Sequence, residues 1–324
     1  MKKKLNIVYM GTPEFAVAPL DCLLKNGCHI SAVITSPDKP SGRGLKLTEV
    51  PVKKYAVKHG LRVLQPANLK SPVFIEELKT INPDLQIVVA FRMLPAIVWK
   101  LPSLGTFNLH ASLLPQYRGA APINWAIING ETKTGVTTFF INENIDTGNI
   151  IMNEEVPILP DETAGDLHDK LMIIGAELVL KTVRSIENSN YQPIPQHILT
   201  DDISLLKNAP KIFKKNCRIN WNDKANNIYN HIRGLCPYPA AYTELRSPEG
   251  ISYYIKIFHC EKELMHHELL PGQINTDGKT HLSIAVADGF IHLQKIQLSA
   301  KNKMQIGEFL RGFPINDLWT VIVI

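Results

Sequence analysis

The amino-acid sequence predicts an α/β protein in which a Rossmann-like open parallel sheet is followed by a C-terminal OB-like β-barrel. In the first half of the 324 residues, short runs rich in Val and Ile alternate with segments of helical periodicity, the pattern of right-handed βαβ units. In the last third, short strands are separated by turn signals such as Pro271-Gly272 and Asp288-Gly289. Closely spaced short strands of this kind are typical of small barrels.

The first half contains four predicted strands, at residues 5–10, 29–35, 85–90 and 106–109. The third is apolar at consecutive positions, as expected of a parallel strand that is covered on both faces. Helical patterns follow at about 13–26, 53–59 and 72–81. A longer helix is predicted from the capping-box pair Thr163 and Asp166 to about residue 186.

The pattern of elements divides the chain into a first domain at 1–187, a linker at 188–208 and a second domain at 209–324. The linker has two prolines and little periodicity, which is typical of a connection between domains. The second domain begins with a helix at 224–233, and strands are predicted at 252–258, 281–286 and 290–298. Its last residues, 318–324, are apolar and are predicted to pack as an edge strand.

The composition is that of a globular protein, with 45% hydrophobic and 20% charged residues. No apolar stretch approaches the roughly 20 residues that span a bilayer, so we expect no contact with a membrane. The run after Lys4 is too short for a signal peptide, and we expect a cytoplasmic protein. The five cysteines are scattered and odd in number, which predicts reduced thiols, and the histidines lack metal-binding spacing, so no metal is expected.

Positive charge is concentrated in the second domain. The whole chain has a net charge of +5, and residues 209–324 hold 14 Lys and Arg against 10 Asp and Glu, an excess of four. Such an excess indicates a polyanionic partner, because Lys and Arg that neutralise phosphates release counterions. The alternative is a basic surface that binds no partner. Lys211, Lys214 and Lys215, with Arg218, form a cluster at the start of this domain and are predicted to contact phosphates, the alternative being a solvated face.

The first strand does not end in the glycine pattern of a dinucleotide site. It is followed by Gly11-Thr12-Pro13-Glu14-Phe15, which lacks the second and third glycines that let a backbone approach a pyrophosphate. An NAD-dependent enzyme is therefore disfavoured. Ligands of open α/β sheets still bind beyond the carboxyl ends of the strands, which directs attention to the later strands.

Polar residues that suit a reacting carbonyl lie at the end of the fourth predicted strand. Asn108 and His110 are two residues apart, so both side chains emerge on one face. An amide can donate to a developing oxyanion, and an imidazole can donate or carry a proton near neutral pH. Asp146, before Thr147 and Gly148, could orient the imidazole. From these residues alone, a hydrogen-bonded strand end and a turn-forming aspartate remain open as alternatives.

The chemistry indicated is direct transfer through a tetrahedral intermediate. Ser112 lacks the glycine and the strand-to-helix context of a nucleophile elbow, and no activated Cys is evident.

The motifs of the first domain resemble the signature of the folate-dependent formyltransferases. The matching segments are Asn108-x-His110-x-Ser112-Leu113-Leu114-Pro115, Arg118-Gly119-Ala120-Ala121-Pro122, Gly135-Val136-Thr137 and Asp146-Thr147-Gly148. Within that superfamily the chain is most similar to the methionyl-tRNA formyltransferases, whose N-terminal segments resemble Gly11-Thr12-Pro13, Pro37-Asp38-Lys39-Pro40 and Gly42-Arg43-Gly44. The motifs run in order from residue 7 to about 186 and continue more loosely through the second domain.

The resemblance implies a formyl transfer from 10-formyltetrahydrofolate, a cosubstrate, to the amino group of initiator Met-tRNA by a monomer that needs no metal. Residues 1–187 would be the catalytic domain and 209–324 a tRNA-binding domain. The implied site residues are, for catalysis, Asn108, His110 and Asp146; for the folate, Ser112, Leu113, Leu114 and Pro115, with the pterin near Met93 and Leu94; and for the tRNA, Lys39, Arg43 and Lys46 together with the lysine cluster.

Two further segments, residues 90–95 and 36–51, bear on the predicted folate and tRNA sites. Residues 90–95 are one residue shorter than the common family pattern and carry Arg92 where glycine is common. Residues 36–51 form a long predicted loop, which is either a mobile surface loop or functional. By resemblance it reaches the acceptor end of the tRNA with Arg43 leading, and a guanidinium can stack on an unpaired base and bind phosphates.

Other activities share part of these features. A transferase acting on a small amine, such as glycinamide ribonucleotide or an amino-sugar nucleotide, would use the same three polar residues without needing a basic loop and a basic barrel. A hydrolase of formyl-tetrahydrofolate would use the same pocket with water as acceptor, and a non-catalytic RNA-binding module would keep only the basic surface. The tRNA transferase is the function that uses every feature.

Overall fold

The computed structural model describes residues 4–41, 46–200 and 202–323, and the chain divides into two compact units. Unit 1 consists of Met1–Gly119, Lys133–Pro157 and His168–Asn208, and unit 2 consists of Ala120–Thr132, Ile158–Leu167 and Ala209–Ile324. Among the described residues, no helix is both long and apolar enough to cross a membrane.

The strands and helices are numbered along the chain. The strands are β1 (Asn6–Gly11), β2 (His29–Ile34), β3 (Lys39–Ser41), β4 (Lys46–Thr48), β5 (Val63–Leu64), β6 (Leu85–Val89), β7 (Thr106–His110), β8 (Arg118–Gly119), β9 (Lys133–Phe140), β10 (Ile150–Pro157), β11 (Asn208–Ala209), β12 (Ala241–Arg246), β13 (Ser252–Leu264), β14 (Ile274–Thr276), β15 (Leu282–Val286), β16 (Gly289–Leu298), β17 (Met304–Gln305) and β18 (Thr320–Val321). The helices are α1 (Val17–Lys25), α2 (Pro51–Lys58), α3 (Pro72–Ile81), α4 (Ala96–Trp99), α5 (Pro122–Ile128), α6 (Ala164–Glu187), α7 (Ala225–Leu235) and α8 (Ile306–Gly312).

Unit 1 is built on a seven-stranded sheet with the order β10-β9-β7-β6-β1-β2-β5. The strands from β7 to β5 are parallel, which confirms the predicted Rossmann-like sheet. The pairs β7–β9 and β9–β10 are antiparallel, and neither β9 nor β10 was predicted. Both contain polar residues that obscure the strand pattern, although β9 is buried along most of its length.

The two faces of β7 have different surroundings. On one face, Leu109 lies under α6, where a Cβ added to Gly175 would be 2.8 Å from Leu109 Cδ2. Because side chains alternate along a strand, Asn108 and His110 lie on the other face.

The predicted start of α6 is confirmed, since the Thr163 backbone N–H and hydroxyl both donate to Asp166, and the Asp166 backbone N–H donates back to the Thr163 hydroxyl.

The predicted long loop at 36–51 is wrong in part, because its two arms pair as the antiparallel strands β3 and β4. Lys39 lies opposite Thr48 in this ladder. At the base of the segment, Lys53 and Gln65 both donate to the Asp38 carboxylate, and these hydrogen bonds lower the pKa of Asp38. Neither Lys39-Pro40-Ser41 nor Lys46-Leu47-Thr48 has the apolar alternation of a strand, so no strand was predicted here.

The connection at 188–208 belongs to unit 1 and is bonded to other segments of that unit. Ile194 forms a β-bridge with Ile150, and the Lys207 carbonyl accepts from the Tyr117 backbone N–H at 2.6 Å. Residues Gln196–Leu199 form a short 3-10 helix within this connection. The division into a first domain that ends at residue 187 and a second that begins at residue 209 stays a prediction.

Unit 2 contains the predicted antiparallel barrel, with the strand order β14-β15-β16-β13-β12-β18. The apolar tail supplies β18, as predicted, and Val321 is buried in the barrel core. The same tail residues also bond the chain beside β14, through the bridge between Gln273 and Thr320 and the Val321 N–H to Gly272. The tail therefore nearly closes the barrel.

Two segments from the first half of the chain pack within unit 2. The Asn124 amide in α5 donates to the Gly234 carbonyl at 2.7 Å, and the buried Arg233 guanidinium donates to the Glu162 carbonyl at 2.8 Å. The Tyr229 hydroxyl donates to Asp161. These hydrogen bonds explain why residues 120–132 and 158–167 belong to the same compact unit as α7.

Candidate active site

Asn108 and His110 are brought to the carboxyl-terminal half of β7, as predicted. Asn108 pairs with Val88 of β6 and Phe139 of β9, and its side chain is half-buried. Within the described part of the chain the Asn108 amide has no hydrogen-bond partner. His110 is only 6% exposed, and its ring meets the ring of Phe139 edge to face.

The imidazole of His110 is fixed by one hydrogen bond. Its Nε2 lies 2.9 Å from the Tyr117 carbonyl oxygen, which can only accept, so Nε2 carries a proton. In the neutral ring the lone pair then lies on Nδ1. This tautomer leaves Nδ1 as the atom that can take up a further proton.

Asp146 lies beside that nitrogen. Asp146 Oδ2 is 3.7 Å from His110 Nδ1, which is longer than a direct hydrogen bond. The same oxygen accepts a hydrogen bond from the Gly119 backbone N–H at 2.9 Å. Asp146 has φ +55°, a left-handed conformation that is uncommon for residues other than glycine.

A buried glutamine holds the loop that carries Asp146. Gln196 Nε2 donates to the carbonyls of Asp146 and Gly148 at 2.9 and 2.8 Å. Its Oε1 accepts from Arg118 Nε and Nη2 at 3.0 and 2.6 Å. Burial lowers the pKa of the Arg118 guanidinium, and the nearby Asp146 carboxylate opposes that shift.

The segment after His110 is held against β9 by Thr137. The Thr137 hydroxyl donates to the Ser112 carbonyl at 2.7 Å and accepts from the Leu114 N–H at 3.2 Å. At Gly135, an added Cβ would lie 2.2 Å from the Glu154 carbonyl and 2.5 Å from Leu113 Cδ2. The Gly-Val-Thr motif therefore supplies both the space and the hydroxyl that seat this segment.

The side chains predicted to bind folate differ in exposure. Ser112, Leu114 and Pro115 are buried, and the Ser112 hydroxyl donates to the Gln116 carbonyl at 2.7 Å. Leu113 is half-buried. This segment can offer a ligand its backbone and the Leu113 side chain.

The shortened segment after β6 is anchored by its arginine. The Arg92 guanidinium donates to the carbonyls of Pro66 and Ala67 and lies over the ring of Phe91, and burial lowers its pKa. Met93 is 74% exposed, whereas Leu94 is 8% exposed and packs in the core of unit 1. Of these two predicted folate residues, Met93 alone presents its side chain to solvent.

The predicted tRNA residues are distributed over both units. In unit 1, Lys39 is exposed on β3 and Lys46 begins β4, whereas Arg43 lies outside the described residues. In unit 2, Lys211, Lys214 and Lys215 are all exposed.

Aromatic rings lie beside two of these lysines. Lys211 lies over the ring of the exposed Phe213, and Lys214 lies 5.5 Å from the centroid of Tyr254. Arg218 is 3.8 Å from Glu244, so part of its charge is compensated.

Sequence reasoning missed three contributors to this site: Gly119, Thr137 and Gln196. Gly119 and Thr137 lay within motifs that were noted, but their hydrogen bonds depend on the tertiary fold. Gln196 had no signal beyond its position after Pro195 in a segment without periodicity.

Among the described residues, no group of three or more His, Cys, Asp or Glu is placed to bind a metal ion.

Both parts of the chain match models of formyl transferases. Residues 3–183 match the family described as formyl transferase, and residues 211–314 match the formyl transferase C-terminal domain.

Known proteins similar to the chain agree with these models. A methionyl-tRNA formyltransferase from Phocaeicola vulgatus is 55% identical over 317 residues, and one from Bacteroides thetaiotaomicron is 52% identical over 316; each alignment covers 98% of both chains. A solved N-formyltransferase from Helicobacter canadensis, in complex with folinic acid and dTDP-3-aminofucose, has the same fold, with a TM-score of 0.64, 23% identity and coverage of 93% of this chain and 100% of that one. The chain belongs to the methionyl-tRNA formyltransferase family.

Proposed function

We infer that the protein transfers the formyl group of 10-formyltetrahydrofolate to the α-amino group of methionyl-initiator tRNA, giving N-formylmethionyl-tRNA for translation initiation. The observation that carries this inference is the 52–55% identity over nearly the whole chain to enzymes of that name. A reaction on initiator tRNA belongs where translation takes place, so we propose a cytoplasmic enzyme. The expected monomer stays a prediction.

His110 is the proposed proton carrier. As the methionyl nitrogen attacks the formyl carbon, a C–N bond forms and the nitrogen must lose a proton. His110 Nδ1, whose lone pair is free in the neutral tautomer, can accept it, and Asp146 at 3.7 Å stabilises the resulting imidazolium. Breaking the bond between the formyl carbon and N10 of the folate then requires a proton at N10, which the imidazolium can return.

Asn108 is the proposed oxyanion donor. Its amide lies on the same face of β7 as His110 and has no hydrogen-bond partner within the described residues. A free amide N–H can donate to the carbonyl oxygen as negative charge develops there. A preorganised donor of this kind typically contributes about 10²–10³ in rate.

The proposed folate site consists of the segment Ser112–Pro115 together with Met93 and the backbone of Leu94. Thr137 supports it, since the hydroxyl of this one residue bonds two backbone groups of the segment. The half-buried Leu113 and the exposed Met93 offer apolar contacts, and the backbone offers polar ones. This combination suits a flat heterocycle with polar edges.

Replacing Thr137 by valine should weaken folate binding. Valine keeps the shape of threonine but leaves the Ser112 carbonyl and the Leu114 N–H without their partner, which costs about 1–3 kcal/mol when the groups are buried. We expect the KM for folate to rise by on the order of tenfold with a smaller change in kcat. Steady-state kinetics at saturating Met-tRNA would measure this.

The matched control for that variant is Thr134→Val. Thr134 lies on the same strand and is buried, but its hydroxyl has no hydrogen-bond partner among the described residues. This variant should keep the folate KM of the unmodified enzyme. Equal kinetics of the two variants would show that Thr137 does not support the folate segment.

The proposed tRNA-binding residues of unit 2 are Lys211, Lys214 and Lys215, and those of unit 1 are Lys39, Arg43 and Lys46. All three lysines of unit 2 are exposed, and Lys211 and Lys214 lie beside aromatic rings, an arrangement suited to a nucleic-acid backbone with neighbouring unpaired bases. The assignment of Arg43 rests on the sequence, because this residue lies outside the described part of the chain.

Removing the Lys214 charge should weaken tRNA binding in a salt-dependent way. Lys214→Ala is expected to lower the slope of log Kd against log salt concentration by about 1, as for the loss of one phosphate contact. Titrations of Met-tRNA at several salt concentrations would measure the slope, and Lys214→Arg should retain it. An unchanged slope in Lys214→Ala would make this lysine a solvated surface residue.

The function itself is tested by supplying alternative acceptors. The enzyme is incubated with 10-formyltetrahydrofolate and either initiator Met-tRNA, free methionine or buffer. We expect formyl product from Met-tRNA only. Formylation of free methionine would indicate a small-amine transferase, and release of formate in buffer at a comparable rate would indicate a hydrolase.

A further inference from the structure

Gln196 is a buried polar residue in a segment to which the proposed reaction assigns no role. It is 3% exposed, whereas the other side chains of its 3-10 helix, from His197 to Leu199, are exposed. The short helix therefore contributes a single buried side chain. A buried amide is stable only when its donors and acceptor are bonded, and the partners of Gln196 show what this side chain holds in place.

All four hydrogen bonds of the Gln196 amide go to the site. The NH₂ group donates to the carbonyls of Asp146 and Gly148, which lie on either side of Thr147. The oxygen accepts both arms of the Arg118 guanidinium. The Gly119 N–H, which follows Arg118 in the chain, donates to the Asp146 carboxylate. Gln196 thus bonds the backbone of Asp146 and also the segment that binds its side chain.

Asp146 needs such restraint because of its backbone conformation. Residues other than glycine are uncommon in the left-handed region and are held there by their surroundings. The two carbonyl hydrogen bonds fix the peptide groups that follow Asp146 and Gly148, and so restrain the turn in which Asp146 has φ +55°. Without them the aspartate could relax towards a common conformation and move away from His110.

We propose that Gln196 is a positioning residue that keeps the Asp146 carboxylate beside His110 Nδ1 during formyl transfer. This inference rests on the proposed function. The neutral Gln196 oxygen accepts two hydrogen bonds from Arg118 and so orients the guanidinium without neutralising its charge. A residue of the connection, 50 positions after Asp146, therefore holds the carboxylate that faces the proposed proton carrier, His110.

Two variants separate these contacts. Gln196→Ala removes all four hydrogen bonds. Gln196→Glu keeps the size of the side chain and can still accept from Arg118, but a carboxylate cannot donate to the carbonyls of Asp146 and Gly148. If positioning is the role, kcat should fall by on the order of 10²-fold in both variants, with the KM for folate changed by less than about threefold.

The control is Gln192→Ala. Gln192 belongs to the same connection and is exposed. The kcat of the Gln192→Ala enzyme should therefore equal that of the unmodified enzyme. If the unmodified enzyme does not formylate Met-tRNA, the proposed function is wrong, whatever the Gln196 variants show. If the unmodified enzyme formylates Met-tRNA and the Glu variant keeps kcat within about threefold, the positioning role is wrong, and Gln196 serves Arg118 alone.

A double-mutant cycle tests the route through Asp146. In an Asp146→Asn background, Gln196→Ala should lower the residual kcat by less than about threefold, because the group that Gln196 positions is already lost. A merely structural role would lower kcat by the same factor in both backgrounds, and that result would overturn the proposal. The cycle applies equally to Gln196→Glu, should the alanine variant fail to fold.

Discussion

Replacing His110 by alanine should lower kcat for formyl transfer by about 10²–10³-fold, because positioned general acid–base groups typically contribute about 10²–10⁴. The ring is buried, its Nε2 is bonded to the Tyr117 carbonyl and its Nδ1 faces Asp146, so the variant loses the group proposed to carry the proton. Asp146→Asn should have an effect in the same direction, since an amide does not stabilise the imidazolium. Single-turnover rates with Met-tRNA and saturating folate would measure both.

The control for this prediction is His197→Ala, at an exposed histidine of the same unit. Circular dichroism and folate binding of the His110 variant should match those of the unmodified enzyme, which separates loss of chemistry from loss of fold. A folded His110→Ala enzyme with kcat reduced by less than about threefold would remove His110 from the mechanism.

Replacing Gly148 by alanine should damage stability and activity together. A Cβ at this position would lie 1.6 Å from the Phe140 carbonyl oxygen, a backbone atom that cannot turn aside. The loop must therefore move away from β9. Overpacking of this kind lowers the free energy of unfolding by about 1–3 kcal/mol or more. The Gly148 carbonyl also accepts from Gln196, so the displacement is passed to Asp146. Displacement of a reacting group by about 1 Å can cost on the order of 10² in kcat.

The matched control is Gly312→Ala at the end of α8, where an added Cβ has no atom within 4 Å. Its free energy of unfolding should change by less than about 0.5 kcal/mol. Urea unfolding and kcat/KM for Met-tRNA would be measured for both variants. A Gly148→Ala protein as stable and active as the Gly312 variant would contradict the close approach of the loop to β9.

The sequence by itself determined the features that depend on neighbouring residues. The four predicted strands of the parallel sheet follow from short apolar runs, and the start of α6 follows from the Thr163–Asp166 pair. The period of two along β7 places Asn108 and His110 on one face. The motifs also indicated the family, because they preserve residue types at fixed spacings. The excess of positive charge in the C-terminal part could be counted directly.

Only the tertiary structure decided how Asp146 reaches His110. Strand β9 runs antiparallel to β7, with Phe140 beside Phe107, so the loop after β9 begins three residues from His110 along β7. The loop must turn back before the Asp146 carboxylate can lie 3.7 Å from the imidazole. The restraint by Gln196 arises from a connection that lacked any periodic signal. Alternation and capping are local properties of the chain, whereas these contacts depend on strand direction and on loop packing between distant residues.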